Sequence, residues 1–514
     1  MKIVEKGRKL FKFLRLQRHV LFDDAFQTEL ETMYRSTGAG SEPIPPAFMC
    51  MVLLLQGYLR VSDADAVALS VADARWQLAL DCLGAKEPSF SQGGLQRFRE
   101  RLIAADMDRR LLERTIELAK KTKEFDWKKL PKELRVAIDS RPLEGAGRVE
   151  DTINLLGHAA RKVVAIAAKL LDVPKEEVCR LAGVPLLDGP SVKASLDLDW
   201  NDTLQRADAV EILCAEITSL HEWLEKMRLL SKAPLKPYID AIAQIQSQDL
   251  EVGEDGSVRI HRGVAEDRRV SIEDSEMRHG RKSKTKRFNG YKEHVATDID
   301  TDLIVACEVT PANRPEETAT QRLKKDMDRQ NITIGTMFID RGYINSDLVD
   351  AVNESGGDVV CKPWKLRNVN PSLFSKAEFK LNMREQTITC PAGETETFVP
   401  GDVVEFDPEV CGACPLRSHC THAASGNGRT VKIAEDEQLQ IKLRRMQATS
   451  AGRERLRQRT SIEHRLAHIA ARKGPRARYR NKRKNLFDLR RAACIQNLET
   501  VQRVQLPSRI RSAA

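Results

Sequence analysis

Leu134-Arg-Val-Ala-Ile-Asp139 and Gly335-Thr-Met-Phe-Ile-Asp340 are two short, mostly apolar runs, each closed by an aspartate. Such runs suit a strand on a half-buried pleated surface, with the aspartate placed where the chain leaves the sheet. Taken singly, an aspartate at that point is most simply a turn or cap residue. The order of elements around the two runs says more. A long helical stretch from about Thr152 to Gln246 follows the first run, then a hairpin pattern, His294–Asp300 with Leu303–Thr310. A helix from Pro315 to about Arg329, the Asp340 strand, a helix near Ser346–Glu354 and a last strand from Asp358 to Trp364 come next. Antiparallel strands followed by βαβ alternation predict an α/β fold: a mixed sheet flanked by helices.

A third acid, Glu463, lies in a strongly basic helical pattern with Arg459 four residues before it. An i,i+4 ion pair is the plain reading of that spacing. Carboxylates leaving two strand ends and one helix can also converge on two Mg2+ ions roughly 3.5–4 Å apart, a pair able to clamp both oxygens of a phosphodiester exchange. Leu456, Ile462, Leu466 and Ile469 are spaced to seat one side of that helix on the sheet, which would leave Arg459, Arg465, Arg472 and Lys473 to face phosphates.

Charge is concentrated in two places. The chain of 514 residues carries a formal +10, and its pI is near 9.0. From Arg453 to Arg491 there are 15 Lys/Arg against Glu454, Glu463 and Asp488, so the surplus of this stretch exceeds that of the whole chain. A second block, Arg278 to Lys292, has seven Lys/Arg and no acid. Each block alone is explained by a solvated surface; two blocks flanking carboxylate motifs suggest a polyanion held through counterion release.

Residues 20–125 read as helical. Pro45-Pro46 opens an apolar helix to about Leu59, and Ser62 or Asp63 caps the next. Ser91 can cap a helix carrying Gln92, Gln96, Arg97 and Arg99, compatible with a helix-turn-helix reader or with plain helical packing. Asp298, Asp300 and Asp302 start like a calcium loop but lack its later Gly and Glu, so turn chemistry is the better account. The apolar stretch Ala47–Leu59 is too short to span a bilayer, and the N-terminal residues are too charged for a secretory signal, so an intracellular protein is expected.

Eleven cysteines do not form the dense framework of a secreted mini-domain. Cys390, Cys411, Cys414 and Cys420, with one CxxC among them, are spaced for a possible structural Zn2+, with His419 and His422 as substitute ligands or a reduced cysteine-rich loop as the alternative. Trp364 could stack on an unpaired base near a cut strand or, more simply, be a buried core residue.

Several stretches together carry a family resemblance: Ala137-Ile-Asp139-Ser with Leu143-Glu-Gly-Ala-Gly147, Arg278-His-Gly-Arg-Lys282 with Lys286-Arg-Phe-Asn-Gly-Tyr-Lys-Glu-His294, and Phe338-Ile-Asp-Arg-Gly-Tyr343. Ile462-Glu-His-Arg-Leu-Ala-His468 and the basic run Ala477–Arg490 complete the set. The chain resembles the DDE transposases of bacterial insertion sequences, whose catalytic core is ribonuclease H-like. That resemblance implies that Asp139, Asp340 and Glu463 are catalytic and hold Mg2+ (or Mn2+), that double-stranded DNA at terminal inverted repeats and at the target is the partner, and that the enzyme works as a homodimer or larger oligomer in the bacterial cytoplasm, on the nucleoid. Related enzymes often frame the glutamate with a tyrosine, an arginine and a lysine; here Arg459 fits, Leu456 and Ala470 occupy the other two places, and Lys473 is the nearest lysine. Arg281, Lys282, Lys286, Arg287, Lys292, Arg341, Arg459, Arg465, Arg472, Lys473, Arg476 and Arg478 are the expected DNA contacts.

The expected organisation is a helical DNA-binding or dimerisation domain at 1–125, the first core strand at 130–145, a helical insertion at 146–275, the core continued at 276–364, a cysteine-rich insert at 365–445 and the basic catalytic helix at 446–500. An inactive DNA-binding regulator of the same descent, or a ribonuclease H-like nuclease without strand transfer, are the alternatives.

Overall fold

The computed structural model describes residues 9–34, 42–122, 133–196, 198–254, 256–366 and 370–504. The expected start of the first strand at 130 lies outside them. Six strands form the central sheet, and five of them span its width: β1 (Glu133–Glu144), β2 (Arg287–Asp298), β3 (Ile304–Pro311), β4 (Thr333–Phe338) and β5 (Asp358–Val360). Their order is β3-β2-β1-β4-β5. β2 runs antiparallel to both β1 and β3, whereas β4 lies parallel to β1 and β5 parallel to β4. A short strand, Arg278–Arg281, forms a hairpin with the start of β2. This is the mixed, helix-flanked sheet that the strand order predicts.

Alternation along β1 assigns its side chains to two cores. Val136 and Ile138 pack with Met337, Leu323 and Val349 on one face. Ala137 and Leu143 join the other face, covered by the N-terminal helices and by the C-terminal helix Lys482–Val504. Both faces are buried, which explains why Val136, Ala137 and Ile138 are buried in succession.

The N-terminal layer follows its local signals. The helix Pro46–Leu59 starts at a proline, and the helix Asp63–Ala72 carries a reciprocal capping box between Ser62 and Asp65. Ser91 accepts a hydrogen bond from the Gly94 amide and caps Gln92–Ala104. Among the described residues no single helix is long and apolar enough to cross a membrane.

The insertion has its own core, built by Thr152–Leu171, Thr203–Lys226 and Lys236–Asp249 with shorter helices between them. The continuous helical stretch expected there is therefore broken, at Asp172, whose left-handed φ of 54° closes the first helix, and again at Pro185 and Pro237. The cysteine-rich insert closes around Phe379, Ile388, Phe398 and Phe406. The basic helix also differs from expectation. It is two helices, Ser450–Arg457 and Thr460–Lys473, so Leu456 does not share the helix of Glu463. Ile462, Leu466 and Ile469 do seat that second helix, and all three are buried.

Candidate active site

The last paired residues of the parallel β1 and β4 are Ala137 and Phe338. Asp139 and Asp340 each stand two residues beyond that pair, on strands roughly 4.8 Å apart; Asp340 follows the end of β4, but Asp139 lies within β1, which, contrary to the expected strand end, continues paired with β2 as far as Glu144. The sheet thus delivers two carboxylates to one edge although 200 residues separate them in sequence. The Ser140 amide donates to Asp139 Oδ1 at 2.8 Å, and the Arg341 amide donates to Asp340 Oδ1 at 2.8 Å, so each carboxylate is oriented by the backbone that follows it.

Glu463 reaches this edge from the helix Thr460–Lys473, through a guanidinium. Arg459 donates from Nη1 to Asp139 Oδ2 at 2.9 Å and from Nη2 to Glu463 Oε1 at 3.2 Å. Asp340 and Glu463 are exposed, and Asp139 is half-buried. A fourth acid, Glu316, completes the group. Ser140 Oγ donates to Glu316 Oε1, and Glu316 Oε2 lies so close to Gly342 that a Cβ there would fall 2.3 Å from it. Glu316 thereby touches the residues that follow both aspartates, Ser140 within β1 and Gly342 in the turn after Asp340. Its signal in the sequence was faint: an acid in the first turn after Pro315, where helix N-termini attract acids in any case.

Burial dominates the electrostatics of the site. Burial, offset in part by Arg459 and then reinforced by Glu316 and Asp340, pushes the Asp139 carboxyl from its ordinary 3.8 up to about 6. Beneath it, Tyr343 Oη and His294 Nδ1 are 2.7 Å apart, and His294 Nε2 lies 2.9 Å from Thr310 Oγ1. Complete burial pushes the His294 imidazole down to about 3, so it is neutral and acts as a spacer holding Tyr343 under the site. Oxygen donors with surplus negative charge suit a hard divalent cation. Among the described residues, however, no three His, Cys, Asp or Glu side chains stand close enough together to hold a metal ion. Convergence of Glu463 with the aspartates requires it to part from Arg459.

This charge balance makes a stability prediction. An aspartate with a raised folded-state value keeps a proton that the unfolded chain releases, so stability falls as pH rises from about 4 to about 6 and the deficit persists above that window. The gap between 3.8 and about 6 corresponds to about 3 kcal/mol. In EDTA at pH 7.5, Asp139→Asn is expected to stabilise the chain by on the order of 1–3 kcal/mol in urea unfolding, allowing for a weakened contact to Arg459. A less stable variant would show that Arg459 already neutralises the site.

The basic residues divide in two. Arg281, Lys282, Lys286 and Arg287 are exposed on the hairpin. Lys292 is half-buried and donates to the Arg314 carbonyl at 2.7 Å, and Arg341 donates to the Pro363 carbonyl at 2.8 Å. Arg476 and Arg478 are exposed, and their guanidinium groups donate to the carbonyls of Gly145 and Val61. Arg465 and Lys473, expected to face phosphates, turn inward instead. Arg465 pairs with Asp302; Lys473 is held between Glu293 and Asp488, with its amine 3.2 Å from the latter. Arg472 pairs with Glu499 and lies over the Tyr58 ring. The helix is packed along that side by Lys482–Val504; the buried Glu293 and Asp488 hold Lys473, and the half-buried Asp302 and Glu499 hold Arg465 and Arg472. Arg99, from the suggested reader helix, is likewise buried against Asp63, leaving Gln92, Gln96 and Arg97 exposed. Trp364 is 45 % exposed beside Arg341's contact with the Pro363 carbonyl, contrary to the buried reading.

Two family models match the chain. A "Transposase DDE domain" spans 247–498, including Asp340 and Glu463, and a "Transposase domain (DUF772)" spans 3–101. Asp139 precedes the first match, separated from it by the helical insertion. No curated protein and no solved structure matches. With a ribonuclease H-like sheet, acids brought side by side by its two central parallel strands and transposase domains over both parts of the chain, the protein belongs to the DDE transposases of insertion sequences.

Proposed function

We propose that the chain cuts DNA at the ends of its element and joins the freed ends to target DNA, using Asp139, Asp340 and Glu463 to hold Mg2+ or Mn2+. The in-register placement of Asp139 and Asp340, with Glu463 linked to Asp139 through Arg459, carries this reading. When bound, a metal pair would lower the pKa of an attacking water and stabilise the departing 3′ oxygen. The residues of the chain orient that pair. Ser140 and Arg341 amides fix the two aspartates, Glu316 adds negative charge beside them, and Arg459, once released from Glu463, is placed to meet a phosphate. No side-chain nucleophile is required, because the freed 3′-OH attacks the target.

Exposed Arg476 and Arg478, with Arg341 and the basic hairpin, supply the proposed DNA surface; Trp364 is accessible for stacking on an unpaired base. The N-terminal helices are proposed to bind DNA or to pair two copies, since two ends must be held together. The test is to incubate labelled candidate ends with the protein and Mg2+. Strand-transfer product, lost in Asp340→Asn, supports transposition; cleavage without joining supports the nuclease alternative; binding without either supports a regulator.

The cysteine insert carries a separate proposal, a structural Zn2+. The spacing of Cys390, Cys411, Cys414 and Cys420 supports it, and burial, with smaller contributions from the other three thiols, raises the Cys420 thiol; no three of the four stand close enough together to share an ion, so binding would require them to draw in. About one zinc per chain in freshly purified protein is expected by elemental analysis; zinc-free, folded protein would mean that the four thiols are reduced packing groups.

A further inference from the structure

Residues 281–287, Arg-Lys-Ser-Lys-Thr-Lys-Arg, are exposed without interruption, and five of the seven are cations. Among the described residues none of these five side chains has an ion-pair or hydrogen-bonded partner. The segment is nevertheless well defined. Arg281 stands directly opposite Arg287 in the antiparallel register, the Lys282 amide donates to the Lys286 carbonyl at 2.9 Å, and the Lys286 amide donates to Ser283 Oγ at 3.0 Å. The base of the hairpin is clamped. Phe288 is buried, Gly280 lies so close to Ala312 that a Cβ would fall 2.6 Å from the alanine's own, and Arg278 pairs with Asp267 at 3.0 Å.

Like charges directly opposite one another destabilise a strand pair. A rigid hairpin that sets two arginines face to face, adds three lysines at its tip and provides no acid is held at a cost that a polyanion would relieve. We infer that this hairpin is a β-ribbon that grips the phosphate backbone of the same duplex whose end lies at the carboxylates, a reading that rests on the proposed transposase activity.

The strand itself gives the spacing. Val295 of β2 pairs with Asp139, and Arg287 lies eight residues earlier on that strand. At about 3.4 Å per residue the separation is at most about 27 Å, which is about eight base pairs at about 3.4 Å each. A two-stranded ribbon fits the major groove. With only Ser283 and Thr285 between the cations, its contacts are to phosphates flanking that groove, and they hold the duplex without reading its sequence. A cleft of about 640 Å3 runs along the hairpin base, where Arg281, Arg287 and Lys292 line it together with Glu266 and with Arg268 and Arg278, the last two already paired to Asp249 and Asp267.

The experiment measures binding of a 30-base-pair duplex across a salt series, with the full chain and with Arg281→Gln/Arg287→Gln. Two lost phosphate contacts should reduce the slope of log affinity against log salt by about 1.8, and affinity at 0.1 M salt should fall about tenfold or more. Thermal melting without DNA should be unchanged or slightly raised, because the repulsion is gone. Lys284→Gln, at the tip, provides a second variant with an expected slope change of about 0.9. In a series of duplexes of 6 to 16 base pairs, wild-type affinity should step up once the duplex exceeds about eight, and the double variant should lack the step. An unchanged slope in both variants, with wild type binding normally, overturns the hairpin assignment alone. Wild-type protein that binds no duplex in a salt-dependent way overturns the transposase reading beneath it as well.

Discussion

Asp139→Asn and Asp340→Asn are each expected to lose at least about 1,000-fold in metal-dependent end cleavage, while retaining binding to the same labelled DNA. Stabilisation of developing phosphate charge by bound metal is worth several kcal/mol, and every 1.36 kcal/mol is a factor of ten in rate. An asparagine keeps the shape and the backbone hydrogen bond but removes the charge that the cation needs. Glu463→Gln should fall as steeply, with one difference. Its partner Arg459 also holds Asp139, so the loss of Glu463 leaves that guanidinium on the aspartate and should raise the Mg2+ concentration needed for half-maximal activity. Glu316→Gln keeps a group able to accept from Ser140 and should cost less, on the order of tenfold. Quantified cleavage on sequencing gels and a parallel gel-shift of the same ends provide the two readouts. A variant that cleaves at the wild-type rate removes that residue from the metal set.

Arg490→Leu is expected to lose on the order of 3–5 kcal/mol of stability in urea unfolding, enough to lower the yield of folded protein. Arg490 is 0 % exposed and forks across three carboxylates: Asp106 at 2.7 Å, Asp108 at 3.2 Å and Asp326 at 2.8 Å. Asp106 and Asp108 begin the N-terminal helix Met107–Lys121, whereas Asp326 lies on Thr320–Asp328, which packs on the sheet. One guanidinium therefore ties the N-terminal layer to the catalytic core from inside the last helix. Leucine matches much of its apolar volume but removes the one buried cation the three carboxylates share, leaving Asp108 to the more exposed Arg483 and Asp326 to the more exposed Arg329. Arg490→Lys should recover only part, because an ammonium cannot fork as a planar guanidinium does. Unfolding of Arg490→Leu at the wild-type urea midpoint would show that water or neighbouring Arg483 compensates.

Much of the fold was legible because its signals are local. Pro46, Ser62 and Ser91 mark helix starts by chemistry within one turn, and the runs ending at Asp139 and Asp340 carry strand patterns that neighbouring residues do not alter. Glu316 was not legible as part of the site, since its place depends on Ser140 of β1 and Gly342 beyond β4 approaching it from distant parts of the chain. The break at Gln458–Arg459 within the basic helix was missed for a similar reason: no proline or glycine marks it, and the turn aims Arg459 at Asp139 across the sheet edge.

By itself the sequence determined the order of strands and helices, the three distant acids and the two basic blocks, because periodicity, capping and formal charge are properties of neighbouring residues. Only the tertiary structure decided what each cation meets. Within one basic stretch, Lys473 and Arg490 neutralise buried acids while Arg476 and Arg478 face solvent; on the hairpin, Arg281 and Arg287 face each other with no acid between them. A positive charge is written in one residue. Whether it holds the fold together or stays open to solvent depends on which carboxylates the packing brings within reach, and most of those come from other elements far along the chain.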